Sequence, residues 1–175
     1  MLRVWSRGCH SIELSGMMSA VPLNRYRFRS VWHVDAPPDA VYEILSDIAN
    51  YPVWWHEVRA ATKIDDECGE IICRSFLPFD IVVQVRHSIR SQQAGLLRAT
   101  LSGDLEGFAS WEIIGRDGGT DLVFDQEVVV NKVLLRRLVL IAKPFFRGNH
   151  DLMMRGCLKG LRQQLDIKSA SRHEF

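Results

Sequence analysis

The sequence predicts an α+β fold, with seven antiparallel strands followed by one long C-terminal helix. Three observations lead there. Residues 26–34 alternate with a period of two, six further extended segments lie between Val58 and Asn131, and after Lys132 the period becomes helical as far as about Leu165. The connections between the six segments are too short for a parallel crossover, so they form an antiparallel meander. At 175 residues the chain has the length of one domain. With 47% hydrophobic and 25% charged residues it has an ordinary globular composition, which excludes disordered and fibrous classes.

Each element has a local reason. Tyr26, Phe28, Trp32 and Val34 alternate with Arg27, Arg29 and His33, which makes the first strand. Ala36-Pro37-Pro38-Asp39 then fixes the backbone for a short helix in which Val41, Ile44 and Leu45 recur at helical spacing. Ile48 to Tyr51 adds a further turn that Pro52 disturbs, and the chain becomes extended again from Trp54-Trp55-His56. The six later strands are expected at 58–65, 70–77, 80–91, 95–102, 108–116 and 120–131. They are divided by Asp65 to Gly69, Pro78, Gln92 to Gly95, Gly103 to Gly107, and Asp117-Gly118-Gly119, the last a tight-hairpin signal. Ile81, Val83, Val85, His87 and Ile89 share one strand face, and Leu122, Phe124, Gln126, Val128 and Val130 share another. In the final segment Pro144 marks a kink or a start. Phe146, His150, Met153, Met154, Cys157, Leu161 and Leu165 fall on one broad face, with Gly156 and Gly160 on its flank. The division expected is a dispensable or targeting extension at 1–24, one domain at 25–166, and a loose tail at 167–175. A start before Met17 or Met18 would account for the extension equally well.

Charge and motif content narrow the function. Twenty-two basic against 21 acidic residues give a net charge of +1, so no global field holds a nucleic-acid backbone. The four cysteines show no C-x-x-C spacing and read as reduced thiols of a cytoplasmic protein. The longest apolar run, Leu138 to Ala142, is far short of the ~20 residues a membrane-spanning helix needs. The first residues contain no apolar core of a signal peptide. There is no nucleotide-binding loop, no Gly-x-Ser-x-Gly elbow, no His-Glu-x-x-His and no Cys/His metal spacing. His56 and Glu57 are adjacent and point apart on extended chain, so they cannot share a metal without a bend. Neither a metal nor an obligatory cofactor is expected.

The order of elements, together with Val34-Asp35-Ala36-Pro37-Pro38-Asp39-Ala40-Val41-Tyr42, Tyr51-Pro52-Val53-Trp54-Trp55, Gly103-Asp104-Leu105-Glu106-Gly107, Asp117-Gly118-Gly119-Thr120 and Asn149-His150-Asp151, resembles the START-related polyketide cyclase/dehydrase and lipid-transport superfamily, in its actinobacteria-type branch. The resemblance covers about Arg25 to Leu165. It implies a helix-grip fold, a curved seven-stranded sheet around the last helix. It also implies one of several functions: lipid carriage, coenzyme Q binding or aromatase/cyclase activity.

A helix in the hollow of a bent sheet leaves space unless large side chains meet across it, and this helix offers Gly156, Gly160, Met153 and Met154. The expected cavity is apolar, with a volume of about 300–1,000 Å³. Alternatively Trp32, Trp111, Phe124 and Phe146 plug it and leave a solid core. Its candidate ligand-binding residues are Val85, Leu101, Trp111, Phe124 and Gln126 on strands and Asn149, His150, Met153 and Gly156 on the helix. His150, His87 and Arg74 are the candidate acid/base or carbonyl-polarising groups. His150 is either a satisfied core histidine or a polar handle with a depressed pKa. His87 carries the same ambiguity, and Gln126 either bonds within the sheet or meets the ligand. Asp104 and Glu106 are either solvated turn carboxylates or an acid/base pair. Trp54 and Trp55 read as packing on the first strand, with an aromatic clamp at a pocket mouth as the alternative. The leading expectation is a binder of a small apolar molecule of lipid, polyketide, isoprenoid or quinone type. A polyketide cyclase/dehydrase-type enzyme and a protein-interaction or toxin-antitoxin partner are the alternatives, and the oligomeric state is open.

Overall fold

A computed structural model describes residues 24–75, 79–131 and 139–172, with backbone alone for 139–143 and 172. In chain order the elements are β1 (Arg25–Val34), α1 (Pro38–Ser46), a 3-10 turn (Ile48–Asn50), α2 (Tyr51–Trp54), β2 (Val58–Lys63), β3 (Cys68–Cys73), β4 (Ile81–Ser91), β5 (Leu96–Gly103), β6 (Leu105–Arg116), β7 (Gly119–Val130) and α3 (Val139–Arg172). All seven strands join one antiparallel sheet in the order β1-β7-β6-β5-β4-β3-β2. β1 and β2 therefore lie at opposite edges. The α1–α2 excursion carries the chain from one edge to the other, and α3 packs against α1 and α2. This is the helix-grip arrangement.

The turns explain where the strands depart from the expected bounds. Asp65 Oδ1 accepts the backbone N–H groups of Glu67 (2.8 Å) and Cys68 (2.7 Å), so the turn closes early and β3 starts at Cys68 rather than Glu70. The expected Gly103–Gly107 loop shrinks to Asp104 alone. Its backbone N–H donates to Val82 O and its carboxylate accepts from Val82 N, each at 3.0 Å, which leaves Glu106 and Gly107 inside β6. In β4 the inward alternation ends at His87. A bulge between His87 and Ile89 turns Ile89 outward, to 39% exposure. The β6–β7 hairpin closes through Asp117-Gly118, with Gly118 at φ +87°.

Helix α3 passes through Pro144 and continues to Arg172, so residues 167–172 of the expected loose tail are helical. Lys168 reaches Glu43 of α1 at 2.9 Å, tying this last stretch back to the domain. The expected extension before Asn24, the helical period from Lys132 with the Leu138–Ala142 run, Cys9, the Pro78 turn and residues 173–175 lie outside the described residues or side chains. Asn24 is itself held, because its amide donates to Val130 O and its carbonyl accepts from Val130 N.

Two hydrophobic clusters meet between helix and sheet. One joins Val41, Ile44 and Leu45 of α1 and the Tyr51–Trp54–Trp55 group to Met154, Cys157, Leu161 and Leu165 of α3. The other joins Tyr26, Ile81, Val83, Val85, Leu101, Val128 and Val130 to Phe146. The α3 face expected from its period is the one buried, with Cys157 and Leu161 at 0% exposure.

Two glycines separate backbone conformation from close packing. A Cβ at Gly118 would meet nothing within 4 Å, so Gly118→Ala costs only the left-handed backbone, about 1 kcal/mol. At Gly160 a Cβ would fall on the carbonyl oxygen of Trp54. Gly160→Ala is expected to destabilise by about 1–3 kcal/mol, although alanine suits a helix interior better by about 1 kcal/mol. Urea denaturation of both variants should place Gly160→Ala as the more damaging.

Candidate ligand-binding site

Between the two clusters lies a cavity of about 160 Å³. Ile81, Val83, Val85, Ala99, Leu101 and Val128 form its floor on the sheet; Phe28, Trp111, Phe124 and Phe146 narrow it; Asn149, His150, Met153 and Met154 roof it from α3. It is smaller than the size expected from the fold because the aromatic side chains fill part of the hollow. Trp111 lies 4.6 Å from Phe124 and 5.5 Å from Trp32 between ring centroids. They do not close it.

His150 sits among these rings. It stacks on Phe28 at 3.7 Å with an interplanar angle of 9°, and its centroid is 6.0 Å from Phe124. Its Nε2 is buried without a partner among the described residues. Burial pushes its pKa down to about 4, opposed weakly by the Asp151 carboxylate, so the imidazole is neutral at pH 7. Asn149 is 3% exposed; its amide donates to Met153 Sδ at 3.6 Å while Oδ1 has no partner among the described residues. His87 lines the same cavity, its Nδ1 likewise buried and unpartnered among the described residues and its pKa lowered mainly by burial. Gln126 also lines it. The site is thus a small apolar chamber with a few neutral polar groups in its wall and one charged lining residue, the exposed Arg98, whose guanidinium stacks over Phe108 at 4.2 Å.

Four candidates do not belong to it. Gly156 does not line the cavity, because its missing side chain makes room for the Glu57 carboxylate, on which a Cβ would land. Arg74 is exposed and pairs with Asp80, Nε to Oδ1 at 2.7 Å. Asp104 and Glu106 are also outside: Asp104 closes its turn, and Glu106 accepts from Asn131 Nδ2 at 2.9 Å. Trp54 and Trp55 pack against α3 rather than β1. Trp54 faces Gly160, and Trp55 donates its indole N–H to Met153 O at 3.0 Å while lining the cavity. The strand reading also missed Phe28, whose parity with Tyr26 was visible, and Leu45, Ile48 and Tyr51, which the excursion between β1 and β2 brings to the cavity. Tyr51 is fixed by its hydroxyl donating to Leu45 O at 2.7 Å.

Cys68, Cys73 and Cys157 are free thiols, and burial pushes Cys73 up to about 12 and Cys157 well upward, which keeps both protonated. Among the described residues no three His, Cys, Asp or Glu side chains converge to hold a metal, and no helix is long and apolar enough to cross a membrane.

A seven-stranded sheet gripping a long C-terminal helix over an apolar cavity defines a helix-grip protein. The chain belongs to the family described as polyketide cyclase/dehydrase and lipid transport, which matches residues 25–166. Similar solved structures include a START superfamily protein from Mycobacterium smegmatis (TM-score 0.65, 13% identity, covering 80% of this chain and 97% of that one). The Zhui aromatase/cyclase from Streptomyces sp. R1128 is another (TM-score 0.61, 14% identity, 86% and 96%). The di-domain ARO/CYC StfQ from the steffimycin biosynthetic pathway is a third (TM-score 0.67, 12% identity, 85% and 53%). The match spans about half the length of such di-domain chains. At these identities the likeness is one of fold. No curated protein matches the sequence.

The depressed pKa of His150 sets a pH dependence. The unfolded chain takes up this proton near the ordinary 6.5, the folded chain only near 4, so between these values the unfolded state binds more protons. Stability is therefore expected to fall as pH drops from about 6.5 toward 4, by up to about 3 kcal/mol, with no contribution above that window. His87 adds to the same trend. Asp65, Asp66 and Asp121, held below the usual carboxylate range by hydrogen bonds and nearby cations, act in the same direction only below about pH 5, outside the pH 7 to pH 5 comparison. Urea midpoints at pH 7 and pH 5 should converge more closely in His150→Gln than in the wild type.

Proposed function

We propose that the protein encloses a small apolar ligand of lipid, polyketide, isoprenoid or quinone type in the cavity between sheet and α3, and that it works in the cytoplasm with reduced thiols. The observation that carries this is the apolar hollow itself. Its volume of about 160 Å³, lined almost wholly by apolar side chains, matches the roughly 150 Å³ that suffices for a benzene ring. The chamber thus suits one ring or a short branched chain. A fused two-ring molecule such as naphthalene is accommodated when the flexible Met153 and Met154 shift aside. Family membership supports the reading.

A second reading is favoured by one feature, the neutral His150 with its unpartnered Nε2 at the cavity wall. A neutral imidazole can accept a proton, so a cyclase or dehydrase using His150 as base, with His87 or Gln126 polarising a carbonyl, fits the same space.

Native mass spectrometry of protein purified from its own host should reveal a co-purifying apolar molecule. Ala109 lines the cavity, so Ala109→Phe is expected to weaken binding of an apolar naphthalene probe at least about tenfold while the fold persists. His150→Gln separates the roles of that residue. A ligand-contacting histidine loses affinity or turnover beyond its stability cost of about 1–3 kcal/mol, and unimpaired binding with a lowered melting temperature would retire it from the site.

A further inference from the structure

A second concavity of about 220 Å³ lies next to the cavity. Its walls are the Ser46–Ala49 stretch, Ala61 to Lys63 at the end of β2, the Asp65–Gly69 turn, and His87 and Arg90 of β4. Two residues, Ile48 and His87, line both spaces. A single layer of side chains therefore separates the apolar chamber from a polar one. The sheet is irregular at this place: the β4 bulge follows His87 directly, making His87 the last inward residue at this end of the strand. The backbone N–H of His87 donates to Glu67 O at 2.8 Å, so the outer turn and the dividing wall are joined.

We infer that the two spaces form one two-part site, in which an amphiphile places an apolar ring in the inner cavity and an uncharged, hydrogen-bonding tail in the outer one, passing between Ile48 and His87. This rests on the cavity reading above. The tail is uncharged because the charges around the outer space already have partners. Lys63 pairs with Asp66 at 2.7 Å, Glu67 faces Arg86 at 3.8 Å, Asp65 holds the Glu67 and Cys68 backbone N–H groups, Asp47 accepts from Asn50, and Arg90 donates to Ser46 O at 3.4 Å. An ionic tail would have to displace one of these hydrogen-bond or ion-pair partners, whereas hydroxyl and ether oxygens can share donors and acceptors already in place.

The test compares 1-naphthol, a ring alone, with its triethylene glycol ether, the same ring carrying a neutral polar tail, by calorimetric titration of the full chain. Ala61 lines only the outer space, so Ala61→Phe fills it without entering the inner cavity; Ala49→Phe does so from another wall and serves if the first variant fails to fold. The ether is expected to bind about tenfold more tightly than 1-naphthol to the wild type, with the advantage lost in the variant and 1-naphthol affinity unchanged. An ether no tighter than 1-naphthol, or an advantage that survives in the variant, overturns the two-part site and leaves the inner cavity standing. Failure of both probes to bind the wild type overturns the cavity reading and this inference together.

Discussion

At Gly160 helix α3 comes close enough to α2 that the Trp54 carbonyl occupies the place of a side chain, and one turn earlier Gly156 receives Glu57 in the same way. This close approach seats the C-terminal half of the helix on the α1–α2 excursion and buries Cys157 and Leu161 completely. At its other end the helix rests on the sheet through Phe146, which meets Tyr26 at 5.1 Å. Supported at both ends, the middle of the helix spans the hollow, and the side chains of His150 and Met153 do not fill what lies beneath. The cavity is thus a consequence of where the glycines let the helix touch.

The polar groups of the cavity follow from the same geometry. His150 is too deeply placed to be charged at neutral pH, and it lies flat on Phe28 instead of forming an ion pair. A neutral histidine, an asparagine and a glutamine can live in such a wall at moderate cost, whereas an unpaired charge cannot. The charged side chains of β1 and β7 accordingly lie on the outer face of the sheet.

There the edge strand β1 presents Arg25, Arg27 and Arg29 to Glu127 and Asp125 of β7, with Arg29 to Asp125 at 2.8 Å. Exposed pairs of this kind add little stability. Their arginines do, however, place charge along an edge whose backbone would otherwise invite another strand. The outer face is thus marked for solvent, and the inner face, with Tyr26 and Phe28, for the cavity.

Much of this was determined by the sequence alone. Alternation from Tyr26 to Val34, turn residues such as Asp117-Gly118, and the helical recurrence of Phe146, His150, Met154, Cys157 and Leu161 are local properties, readable without knowing what lies opposite. They defined the seven strands, the long helix and the faces that turn inward, and so made Val85, Leu101, Trp111, Phe124 and His150 visible as lining residues. Tertiary structure decided what depends on distance between elements. Gly156 shares a flank with Gly160 in sequence, yet both are filled by partners from the β1–β2 excursion and its edge. Arg74 stood among the candidate site residues, but Asp80 holds it at the surface. Trp55, Ile48 and Tyr51 entered the cavity because the chain must cross from one sheet edge to the other beneath the helix. Periodicity tells a side chain which way to face; only the packed structure tells it what it meets, because that partner comes from a part of the chain that local pattern does not reach.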